Sequence, residues 1–152
     1  MKKILLGIAY WIGQLTWGLL MTLPGLLTAL FILIFRRKRA TFYRNGYSFI
    51  IEIGGNWGGL ELGAIALCGN YSKTNPYWFD HTRKHEFGHS LQNLIFGPFQ
   101  VFVIGIPSAI RYWYQRIMQK KGKYFAPTWY DSWWGEGTAT KWGTKAVDKI
   151  EG

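Results

Sequence analysis

The 152 residues suit one small domain; 49% are hydrophobic and 18% aromatic, and 18 Lys+Arg against 8 Asp+Glu give a formal charge of +10. Positive charge alone would also suit a nucleic acid, but the nine Trp lie among apolar stretches and no finger, helix-turn-helix or RNA-binding sheet signature occurs. Membrane lipid is therefore the expected partner and nucleic acid is not, while the single cysteine, Cys68, excludes an intrachain disulfide framework and reads as a packing residue in its apolar run.

No charged residue occurs from Ile4 to Phe35. As one straight helix that run would measure about 48 Å, against a hydrocarbon core of roughly 30 Å. Pro24-Gly25 breaks it, which leaves one tilted, kinked helix or a transmembrane hairpin with arms from Lys3 to Leu23 and from Pro24 to Arg36. A cleaved signal peptide fits poorly, because the run exceeds a signal h-region and no small-x-small site closes it. Arg36-Arg37-Lys38-Arg39 follows as a stop-transfer or anionic-lipid cluster. The cytoplasmic bias of Lys and Arg puts this cluster and Lys2-Lys3 on one side, which the hairpin satisfies if its short second arm thins the bilayer or is partly re-entrant. Residues 1–39 are expected to anchor the chain in a bacterial cytoplasmic membrane, leaving residues 40–152 as the functional domain.

From Gly46 to Cys68 the pattern predicts a β-hairpin: Tyr47 to Ile53, a glycine-rich turn over Gly54-Gly55-Asn56-Trp57-Gly58-Gly59, then Leu60 to Cys68. Glu52 and Glu61 are expected at exposed strand positions, with a minor reach toward a metal. The glycine-rich turn lacks the Lys-Ser/Thr pair and helix start of a phosphate-binding loop.

Asn70 to Pro76 is a polar turn, and Asp80 is the expected N-cap of a helix from His81 to Phe96 that Gly97-Pro98 ends. That helix carries His85-Glu86-Phe87-Gly88-His89, an HExxH motif. Residues four apart share a helical face, so both imidazoles converge on one tetrahedral ion, Zn2+, while Glu86 lies close enough to take a proton from water. His81 extends the same face, but it stands about 12 Å along the axis from His89, which suits a substrate-side or outer role better than ligation.

A catalytic zinc needs a third protein ligand. The best candidate is Glu136, in Trp134-Gly135-Glu136-Gly137-Thr138-Ala139-Thr140 on a predicted C-terminal helix, with Asp131 in reserve. Through HExxH and Glu136-Gly137-Thr138-Ala139 the chain resembles the gluzincin metallopeptidases, especially the membrane-bound CAAX-prenyl and heat-shock endopeptidases, over about residues 85 to 140. Thr140 stands where that group has Asp. The metzincin pattern fails because no distal histidine follows His89, and the Leu-Asp-Gly setting of site-2 proteases is missing.

Phe87 to Ile110 holds no Asp, Glu, Lys or Arg, so hydropathy alone would accept a span there. A full crossing would part Glu136 from His85. Gly97-Pro98 and Gly105-Ile106-Pro107 instead predict broken, re-entrant or interfacial helices, with Arg111, Tyr112, Trp113 and Tyr114 at the headgroups.

The expected protein is thus α+β: a membrane anchor and a minimal zinc metallopeptidase domain with its site on the cytoplasmic side. His85, His89 and Glu136 hold zinc, Glu86 is the catalytic base and a peptide or protein is the substrate; Tyr130 and Tyr124 are candidates for an oxyanion donor, outside this set, because sequence gives them no geometry. The alternatives are a non-enzymatic membrane-active or interaction protein and a zinc hydrolase of a non-peptide substrate.

Overall fold

A computed structural model describes residues 1–126 and 128–152 and folds them as α+β, with five α-helices and one four-stranded sheet. Strands β1 (Thr41–Asn45) and β2 (Ser48–Glu52) form one antiparallel hairpin, and β3 (Gly59–Leu62) and β4 (Ile65–Cys68) form another. The hairpins join through parallel pairing of β2 with β4, giving the order β1-β2-β4-β3. The single hairpin expected between Gly46 and Cys68 is therefore replaced. The chain reverses at Gly46 (φ 60°) and Gly63 (φ 69°), where the left-handed backbone favours glycine, and the segment between β2 and β3 carries it to the far edge.

Both faces of the sheet are covered. Ile51, Ile65 and Leu67 pack on Ala29 of α2 (Leu19–Phe31) and on Ile32 just past its end, while Ile50, Ala66 and Cys68 lie with Tyr43 and with Phe79 of α3 (Pro76–Phe96). A sheet buried on both sides explains why β2 and β4 read as continuous apolar runs. It also overturns the exposure expected for Glu52 and Glu61, which are only 4% and 7% exposed. Glu52 accepts hydrogen bonds from Tyr71 N (2.8 Å), Ser72 N (2.6 Å) and Ser72 Oγ (2.6 Å). Burial alone would raise its pKa, but the bonds from Ser72 and Tyr71 hold it below the usual carboxylate value.

The apolar N-terminus breaks at Thr16–Gly18, between α1 (Lys2–Leu15) and α2, and not at Pro24-Gly25. Pro24 lies inside α2. Gly25 is an approach point: a Cβ there would stand 2.2 Å from the Leu62 carbonyl oxygen, so its bare Cα lets α2 lie against β3. The first arm is thus the short one, and α2 continues through a π turn (Ile32–Arg36) and a 3-10 turn (Arg37–Arg39). Leu19–Arg39 is one helix long and apolar enough to cross a membrane.

Buried amides and hydroxyls tie α1 and α2 to α3. Gln14 Nε2 donates to Ser90 O (2.9 Å), while its Oε1 accepts from Thr22 Oγ1 (2.8 Å) and Asn93 Nδ2 (2.7 Å); Tyr10 Oη bonds Ser90 Oγ. Polar side chains on otherwise apolar helices need such partners wherever water is excluded.

Helix α3 starts five residues before the expected His81. Asn75 caps it, accepting from Trp78 N (3.1 Å), and Pro76 fills the first turn, a stronger start pair than Asp80 offers. Asp80 instead pairs with Arg83 (2.7 Å) and Lys84 (2.8 Å). Past Gly97 the chain forms a 3-10 turn (Gly97–Phe99), a π turn (Val101–Gly105) and α4 (Ile106–Lys120), and its axis bends by 115° between Pro76–Phe99 and Val101–Lys120. The apolar stretch after the motif is accordingly broken where its Gly and Pro residues stand.

Helix α5 (Trp134–Glu151) packs on α3 backbone to backbone. A Cβ on Gly88 would lie 1.8 Å from Ala139 O, and one on Gly143 would lie 1.7 Å from Lys84 O. Only glycine permits that approach at both crossings. Lys84–Asp148 and Arg83–Glu151 pairs, each 2.8 Å, fix the register of α5 along α3.

Candidate metal centre

The crossing of α3 and α5 brings His85, His89 and Glu136 together. One ligand atom from each lies within 4.8 Å of the others, and the three form a group that can hold a metal ion. His85 Nε2 and His89 Nε2 stand 3.0 and 3.2 Å from Glu136 Oε2, and 3.1 Å from each other. The imidazoles meet nearly edge to face, at 85°. Glu136 is fully buried, and its Oε1 has no hydrogen-bond partner among the described residues. A buried carboxylate oxygen with no donor, beside two imidazole nitrogens, fits a cation: two His and one Glu are a common catalytic zinc set.

Each histidine is held from behind. His89 Nδ1 bonds Gln92 Oε1 (2.8 Å), and Gln92 Nε2 donates to Gly135 O (2.7 Å) and Thr138 Oγ1 (2.8 Å). An amide oxygen only accepts, so His89 donates through Nδ1 to Gln92, and the bond fixes the ring with Nε2 facing Glu136. His85 Nδ1 bonds Thr140 Oγ1 (2.8 Å). Thr140, the departure from the expected Asp, occupies the orienting position itself.

Glu86 is 5% exposed and lies over β3, where a Cβ on Gly59 would come within 2.2 Å of its Oε1. Burial pushes its pKa above the usual value, against the pull of His85 and His89 and with a contribution from Glu136. Burial likewise pushes Glu61 up to about 8. Glu136 goes the other way: burial would raise it, but hydrogen bonds from His85 and His89 hold it well below the carboxylate range. Carboxylates driven apart in this way mark a site where one holds charge and another can carry a proton.

The other expected residues lie at differing distances from this group. His81 stacks on Trp78, with ring centroids 5.2 Å apart, and is outside the metal-capable group, as is Asp131. Tyr124 is 82% exposed. Tyr130 is part-buried; its hydroxyl bonds Ser108 Oγ (2.7 Å), and its pKa is pushed up by burial and then by the Glu136 carboxylate. Arg111 holds this segment, donating to Tyr130 O (3.1 Å) and Trp129 O with its guanidinium 3.7 Å from the Trp129 ring centroid. The orienting role of Gln92 and the close approaches at Gly59, Gly88 and Gly143 were not anticipated from sequence. The small residue inside HEFGH and the Gln three places after His89 were the available signals.

Compared with known protein families, curated proteins and solved structures, the chain matches none.

Proposed function

We propose that this chain is a membrane-bound, zinc-dependent endopeptidase of gluzincin-like design. The observation that carries the reading is the convergence of His85, His89 and Glu136, each histidine oriented from behind, with Glu86 buried beside them. These three side chains would hold the ion, and zinc, when bound, supplies the Lewis-acid charge that lowers the pKa of water and polarises a carbonyl. Glu86 takes the proton as water attacks and passes it to the departing amine.

Substrate is held as an extended strand. Edge strand β3 lies beside Glu86 and pairs with β4 on one side only, so its outer edge can take up a peptide backbone. Only Gly59–Leu62 offers this edge, since β4 is interior. Tyr130, with its phenol close to Glu136, is a better oxyanion donor than the exposed Tyr124.

The membrane part of the reading is supported by the apolar surface of α1, α2 and α4 and by the basic residues at the ends of the first two. Ile4, Leu27 and Phe35 are 68%, 58% and 67% exposed. Helix α1 begins beside the β1–β2 turn, where Gly7 packs on Tyr47, and the run from α2 ends just before β1, a five-residue strand of about 17 Å, so the two basic regions share one side, taken as cytoplasmic.

The test is metal analysis with turnover. Purified chain should hold about one zinc, lose it on His85→Ala, and cleave a peptide library; Glu86→Gln should keep the zinc and lose cleavage. A folded chain without metal would sink the proposal, and ester but not amide turnover would favour the non-peptide hydrolase.

A further inference from the structure

The α1–α2 turn and the α3–α4 turn meet. The Trp17 ring lies against Gly97, where a Cβ would come within 2.3 Å of it, and Trp17 Nε1 donates to Ile95 O (3.4 Å). Gln14 and Asn93, bonded to each other, sit just behind this contact. Around it the surface is apolar. Leu15, Trp17 and Leu20 on the first turn are 46%, 49% and 53% exposed, and Ile95, Phe99 and Phe102 on the second are 55%, 58% and 65% exposed.

The opposite ends of the same helices are basic. Lys3 Nζ donates to Ile150 O (3.0 Å), and Gly7 packs on Tyr47, so α1 begins next to the β1–β2 turn and Arg44. Helix α2 ends in Arg36-Arg37-Lys38-Arg39, immediately before β1. The pair of helices therefore leaves a basic rim, reaches an apolar tip and returns to the rim.

Length and packing decide how far the tip goes. Helix α1 has 14 residues, or about 21 Å, short of the roughly 30 Å hydrocarbon core but close to one leaflet with its headgroups. The helical run that α2 begins, Leu19–Arg39, is longer, yet from Gly25 to Ile32 it lies on β3, β4 and β2. A crossing would draw the open sheet edges into hydrocarbon, where unpaired backbone groups have no partner. A hairpin that crossed would also need a polar turn to meet the far headgroups. This turn is Thr16-Trp17-Gly18 between leucines.

We propose that the protein is monotopic. The joined α1–α2 and α3–α4 turns enter a single leaflet of an anionic bilayer and stop within it, while Lys3, Arg36-Arg37-Lys38-Arg39 and Arg44 bind acidic headgroups at the surface of entry. The inference rests on the membrane part of the proposed function and replaces the transmembrane hairpin expected from the sequence with a one-sided dip. The charge of the rim selects the partner: basic residues above an apolar tip match an acidic phospholipid surface, whereas a second copy of this chain would set its own +10 against them.

The test uses the full chain in vesicles of phosphatidylcholine and phosphatidylglycerol, with single cysteines at Leu20, Phe99 and Lys38. The first two are exposed tip residues and the third an exposed rim residue, so none replaces a packed side chain, and the native Cys68 is buried. Spin labels at positions 20 and 99 should lie roughly 10–15 Å below the phosphates and the label at 38 in water. An impermeant maleimide added from the opposite face should label none of the three. Vesicles without phosphatidylglycerol should bind the chain at least about tenfold more weakly. Labelling of position 20 from the opposite face would overturn the one-leaflet insertion while leaving membrane attachment intact. Water exposure of both tip labels, with the chain free of the vesicles, would overturn the membrane reading itself. Zinc content and cleavage are read separately, so neither result bears on the metal site.

Discussion

Two regions of this molecule invert the usual distribution of side chains. Helix α3 buries Thr82, Glu86, His89, Ser90, Gln92 and Asn93, whereas α1, α2 and α4 turn Ile, Leu, Phe and Trp outward. In the first region polar groups are tolerated inside because most of them are hydrogen-bonded; among the described residues the unpartnered buried oxygens are Asn93 Oδ1 on α3, Asn45 Oδ1, Gln100 Oε1 and, at the candidate site, Glu61 Oε1 and Glu136 Oε1. In the second region apolar groups face outward, and under the proposed membrane attachment the solvent they meet is itself apolar. Chemistry sets the one pattern and solvent the other.

The contrast can be broken most severely at the site. Glu86→Gln should lower peptide turnover by about 10²–10⁴-fold with zinc content unchanged, as read by steady-state cleavage and metal analysis. Gly88→Val should come next. Its side chain would drive α5 off α3 at Ala139, destabilising the fold by about 3 kcal/mol or more in denaturant titrations and releasing metal, whereas the exposed Lys141→Ala should change stability by less than about 0.5 kcal/mol.

Thr140 sharpens the comparison, since its hydroxyl serves the site from α5. Thr140→Val should weaken zinc binding about 10–100-fold in a chelator competition, while Thr140→Asp should retain it. Equal affinity in the valine variant would mean that His85 is oriented by something other than the Thr140 hydroxyl.

The smallest effect is expected at Glu52. Its folded-state pKa lies below the ordinary carboxylate value, so the folded state binds fewer protons than the unfolded one in that window. The stability it contributes is complete above the unfolded pKa and is lost as pH falls through the folded one. Unfolding midpoints should therefore drop as pH falls below about 4.5, and Glu52→Gln should flatten that acid limb.

How much was legible in sequence differs between the same two regions. The HExxH spacing required His85 and His89 to share a face whatever the tertiary structure, and Glu136 was singled out by its neighbours. The breaks at Gly97-Pro98 and Gly105-Ile106-Pro107 were readable because those residues restrict the backbone locally. The N-terminal break was misjudged at Pro24-Gly25 because α2 runs on with Pro24 inside it, held against the sheet, and Gly25 serves a contact with Leu62 that sequence does not display. Glu52 and Glu61 were expected in water because alternation presumes one wet face, and this sheet has none.

The sequence by itself determined the apolar composition, the basic ends, the α+β class and the paired imidazoles of α3, all of which follow from residue type and short-range spacing. Tertiary structure decided the rest: that β2 and β4 pair in parallel, that Gln92 and Thr140 stand behind the histidines, and that Glu136 reaches them. The reason is distance along the chain. Glu136 lies 47 residues from His89, and only the backbone contact allowed by Gly88 and Gly143 closes that separation to 3.2 Å.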